Sequence, residues 1–157
     1  MPQPQSIVEA FEPLLPQLAE AEIPMMLAIL ERIAAEKYRG WADGSDDPIE
    51  RDGLLACASR EDEIAEFIES LDAKSQALSA ELHGRFPDLR ERYDSVMKGR
   101  SRIEQLRIQS EGELGGADYM RQFSEAFEGA VSARFASLAL CEEANSMFLS
   151  ELIKKIG

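Results

Sequence analysis

In the stretch "MMLAILERIAAEKYRGWA", residues 25–42, apolar side chains fall at Met26, Leu27, Leu30, Ile33, Ala34 and Trp41. Spacing by three and four is the period of a helix and cannot line one face of a strand. Similar runs fill most of the chain. Threonine is absent and valine occurs three times in 157 residues, while Ala, Leu, Glu and Arg dominate, so the vocabulary is that of helices. The expected fold class is all-α.

Punctuation divides the helical text. A short helix fits Ser6 to Leu15, limited by Pro13 and Pro16. Main helices are expected at 22–42, 47–71, 87–112 and 118–156, with a bend in the last at Gly129. "DGSDDP" reads as a tight loop, 73–86 as a connector holding a short helix, and "GELGGAD" as a break. Four main helices joined by short connections predict a four-helix bundle with a short extra N-terminal helix, one domain over 1–157.

Thirty acidic residues against seventeen basic ones leave a formal charge of −13, the wrong sign for neutralising phosphates or an anionic membrane. Neither nucleic acid nor a membrane is therefore an expected partner. The opening "MPQPQSIVEAFEPLLPQLAE" lacks the basic start and apolar core of an export signal, and a cytoplasmic location is expected. Cys57 and Cys141 sit in apolar helical runs without CxxC spacing and are expected as buried free thiols. The single histidine, His83, lies in the connector and leaves any serine or cysteine nucleophile without a base. "GELGG" lacks the lysine and preceding strand of a phosphate loop, and "KGRSR" at 98–102 reads as a solvated face. Nucleophilic catalysis is not expected.

The chain echoes itself. Superposing Glu61 on Glu142 aligns Ala58 with Ala139, Phe67 with Phe148, Ile68 with Leu149 and Leu71 with Leu152. Each stripe then carries one carboxylate in its inward register, a costly choice unless the acid is paired or metal-bound. Glu31 and Glu61 stand fifteen residues either side of Asp46, so an antiparallel hairpin sets them at one level. Tyr38 follows Glu31 by two turns, and Tyr38 and Trp41 read as core aromatics.

"LERIAAEKYRGWA", "REDEIAEFIESL" and "FASLALCEEANSMF" together resemble the ferritin-like superfamily, nearest its rubrerythrin branch. The resemblance implies two helix pairs, each offering a Glu on one helix and a Glu-x-x-His unit on the next, around two iron or manganese ions. It puts Glu31, Glu61 and Glu142 at ligand positions, with Glu91, Asp94 and Glu104 as alternatives on the third helix. Both histidine positions are replaced, by Ile64 and Asn145. Arg32, Arg60 and Arg134 are the neighbours that could pair the three acids instead. The first expectation is thus a bundle without a functional di-iron redox site or any cofactor, acting as a homodimer or through a protein partner. The alternative is a carboxylate-only di-iron or di-manganese protein.

Overall fold

The computed structural model describes residues 2–157 and contains seven α-helices and no strand among them. We label them α1 (Ile7–Phe11), α2 (Ile23–Asp43), α3 (Pro48–Ser70), α4 (Ser75–Arg85), α5 (Leu89–Met97), α6 (Arg102–Ala126) and α7 (Gly129–Ile156). The all-α expectation holds. No helix is long and apolar enough to cross a membrane among the described residues.

The chain divides into two compact units, residues 11–94 and residues 1–10 with 95–157. The first is built on the α2/α3 hairpin. Pro24 occupies the first turn of α2, where a missing N–H costs nothing, and Pro48 does the same for α3. Asp47 caps α3 by accepting a hydrogen bond from the Ile49 amide at 2.9 Å. The hairpin buries Met26, Ala34, Ala35 and Tyr38 from α2 against Leu54, Cys57, Ala58, Ile64, Ala65 and Ile68 from α3. Arg85 anchors the end of α4 by donating to Glu22 at 2.6 Å and to the Gln17 carbonyl at 2.8 Å. The Ala19 amide and the Arg85 guanidinium together hold the Glu22 carboxyl below its ordinary pKa.

The second unit is built on the α6/α7 hairpin, whose core includes Leu106, Ile108, Ala117, Met120, Phe135, Leu138, Ala139 and Leu149. Ser110 ties the two helices, its hydroxyl lying 2.9 Å from that of Ser146. The N-terminal residues belong here as well. Gln3 donates to the Ser95 and Lys98 carbonyls at 3.0 and 2.7 Å, and Arg100 donates to the Pro4 carbonyl at 3.0 Å.

Three helix boundaries depart from expectation. The expected helix over 87–112 is interrupted: α5 stops at Met97 and α6 begins at Arg102. Gly99 takes a left-handed φ of 76°, and Ser101 opens α6 with a capping box, accepting from the Glu104 amide while Glu104 accepts from its own. "GELGGAD", expected as a break, is continuous helix. Its glycines face neighbours, since a Cβ on Gly112 would meet Ile7 Cδ1 at 3.0 Å and one on Gly115 would meet Val8 Cγ2 at 3.2 Å. The break falls at Phe127–Glu128 instead, with Gly129 at φ 61°, so the expected bend is a full turn between two helices. The N-terminal helix ends earlier than expected, at Phe11, and Pro13 and Pro16 keep the following residues 12–17 in a 3₁₀ turn.

Not every helical glycine is there for a neighbour. Gly40 is exposed inside α2, and a Cβ added to it would meet nothing within 4 Å. Gly40→Ala should therefore stabilise the chain by roughly 0.5–1 kcal/mol, about 1–4 °C in thermal midpoint, measured by circular dichroism.

Candidate functional site

The two hairpins bury many of the same positions. On α3 and α7 the pairs are Leu54 and Phe135, Cys57 and Leu138, Ala58 and Ala139, Glu61 and Glu142, Ile64 and Asn145, Ala65 and Ser146, and Ile68 and Leu149. The echo extends to α2 and α6, where Met26, Leu27, Ala28, Glu31, Ala34, Ala35 and Tyr38 match Ile108, Gln109, Ser110, Glu113, Gly116, Ala117 and Met120. Every helix of the two hairpins therefore carries a buried glutamate at a matching position, and α3 buries a second, Glu50, in its first turn.

In the first unit Glu31 is 6% exposed and Glu61 1%, and a carboxylate oxygen of each lies within 4.8 Å of the other. Two ionised carboxylates at that distance repel by about 3 kcal/mol at an effective dielectric constant of 20. Arg32, next in sequence to Glu31, is engaged elsewhere. It donates to Glu69 at 2.7 Å and to Asp62 at 2.9 Å. Burial works against its charge, but those hydrogen bonds outweigh burial and hold Arg32 above its ordinary pKa. Arg60 reaches Cys57 Sγ at 3.8 Å. Tyr38 is fully buried on the same helix and meets the Trp41 ring edge-on at 5.5 Å, as expected of core aromatics; Trp41 itself is half-buried.

In the second unit Glu113 and Glu142 are each 1% exposed. Gln109, one turn before Glu113, donates to its Oε1 at 2.9 Å and fixes that carboxylate's orientation. Glu142 rests against Gly116. A Cβ there would stand 2.6, 2.8 and 3.0 Å from the carboxylate's Oε1, Cδ and Oε2 atoms, so glycine makes room for the acid. Asn145 is fully buried one turn beyond, and Arg134 donates to the Ser137 hydroxyl at 3.1 Å.

The third-helix candidates are not in this set. Glu91 is exposed, Asp94 pairs with Lys37, and Glu104 closes the capping box of α6. Glu113 holds the corresponding place. It stands fourteen residues before Phe127 and Glu142 fourteen after Glu128, the hairpin symmetry that relates Glu31 to Glu61. His83 is exposed on α4. Neither cysteine forms a disulfide; Cys57 is buried as expected, whereas Cys141 is only half-buried because its side of α7 lies off the core stripe.

The donor chemistry differs between hairpins. The first offers two carboxylates flanked by Leu27 and Ile64; the second offers two carboxylates flanked by the amides of Gln109 and Asn145. All these donors are oxygens, apart from the amide nitrogens, and no imidazole or thiolate joins them. No family model, curated protein or solved structure matches the chain.

Gly116→Ala tests the seat of Glu142. Although alanine is the better helix former, the substitution should destabilise by roughly 1–3 kcal/mol, because the carboxylate must leave its place. Urea unfolding beside Gly40→Ala separates the effect from helix propensity.

Proposed function

We propose that this protein is a ferritin-like helical bundle that binds hard divalent cations through Glu31, Glu61, Glu113 and Glu142. The observation that carries the reading is the burial of a glutamate at a matching position on each helix of the two hairpins, with Glu31 and Glu61 at most 4.8 Å apart. Four carboxylates withdrawn from water need a cation, protons or hydrogen bonds to offset the loss of hydration. A cation would also relieve the repulsion within a pair.

The donor set fits some ions better than others. Carboxylate and amide oxygens suit manganese, magnesium or calcium, whereas the iron centres of the resembled family take nitrogen from two histidines. Here those places hold Ile64, which has no lone pair to give, and Asn145, whose carbonyl is a neutral oxygen donor. The reading is therefore cation binding, in a structural or storage capacity, rather than oxygen chemistry. Once bound, the ion would supply positive charge to the buried acids. Gln109 would hold Glu113 in one rotamer and Gly116 would leave space for Glu142.

Mass-spectrometric metal analysis after incubation with Mn(II) or Fe(II) and gel filtration tests this. About two ions per chain are expected. Glu61→Ala should lose metal without unfolding, and loss of one ion or of both tells whether each pair binds alone. Equal metal content in wild type, Glu61→Ala and Glu142→Ala would remove the reading.

A second reading, self-association through α7, rests on Leu140 and Met147. They lie seven residues apart on one helix and are 64% and 68% exposed. Light scattering should then give twice the chain mass, falling to the monomer in Leu140→Glu; a wild-type monomer at high concentration excludes it.

A further inference from the structure

A cavity of about 450 Å³ lies wholly within the first unit, bounded by α2 and α4 with the ends of α3 and α5. Its size falls in the range of small-molecule sites, roughly 300–1,000 Å³. One wall is apolar, formed by Met25, Ala28, Ile29 and Ile33, none more than 5% exposed. The other comes from α4, which turns Ser75, Gln76, Ser79 and His83 to the space and buries only Leu82. Hydroxyl, amide and imidazole groups thus face an aliphatic wall.

The charges lining the cavity say what kind of molecule fits. Two arginines and two glutamates line it, and they are used on each other: Arg32 on Glu69 and Arg90 on Glu36. An anionic guest would have to break one of these pairs, inside a chain that already carries −13. A cationic guest would meet glutamates already held by arginine. A neutral guest breaks neither pair, gains apolar contact on the α2 wall, and finds hydrogen-bond donors and acceptors on α4.

We propose that this cavity binds a small neutral amphipathic molecule, apolar on the face toward α2 and hydrogen-bonding on the face toward α4. The proposal is independent of metal binding, because none of the four buried glutamates lines the cavity.

Fluorescence titration of the full chain with Nile red, a neutral probe, and 8-anilinonaphthalene-1-sulfonate, an anionic one, tests it. Ala80→Trp fills the cavity from an exposed helix position, and Ala77→Trp places the same bulk on α4 outside the lining. Nile red should saturate at one site per chain, bind at least about tenfold more weakly to Ala80→Trp, and be unchanged in Ala77→Trp. Ser79→Leu should keep the apolar contact but weaken a hydroxyl-bearing probe such as 2-naphthol more than naphthalene. Absence of saturable binding, equal loss in both tryptophan variants, or tighter binding of the sulfonate would each overturn the proposal.

Discussion

A carboxylate inside an apolar helix stripe is the constraint around which both hairpins are arranged. Leaving water costs an ionised acid several kcal/mol, and no amount of neighbouring aliphatic packing returns it. Such a group persists only where its surroundings are shaped for it. In the α6/α7 hairpin that shaping is visible in two side-chain choices: Gln109 donates to Glu113, and Gly116 withdraws its own side chain from the place Glu142 occupies. In α2/α3 the equivalent positions are Leu27 and Ala34, and a carboxylate oxygen of each acid there lies within 4.8 Å of the other.

The two hairpins are therefore one design carried out with different chemistry. Many of their buried positions coincide, which accounts for a common way of packing. Their polar inserts differ, with Gln109, Ser110, Asn145 and Ser146 in one replacing Leu27, Ala28, Ile64 and Ala65 in the other.

Much of this was legible in the residues. Period-3.6 apolar spacing located α2 and α3, and the symmetry of Glu31 and Glu61 about Asp46 placed the acids level. The α6 region misleads for a physical reason. Glycines signal a turn because they lose least by leaving the helix, yet the same absence of a side chain also permits close approach within one, and sequence spacing does not separate the two. A break placed at "GELGGAD" hides Glu113, since the hairpin symmetry cannot be applied to a helix that ends at Gly112. The signal for the start of α6 was present as Gly99 followed by the Ser101–Glu104 capping box. The cavity was not legible, because it depends on how α4 lies beside α2.

The glycines of α6 also bear on how its hairpin comes to exist. Gly112, Gly115 and Gly116 within one turn and a half withdraw about 3 kcal/mol of intrinsic helix propensity relative to alanine. A helix weakened that far cannot hold itself together as a free segment and must be templated by what it touches. Around those glycines Ile7 and Val8 fill one side of the helix and Glu142 another, contacts that a free segment would lack.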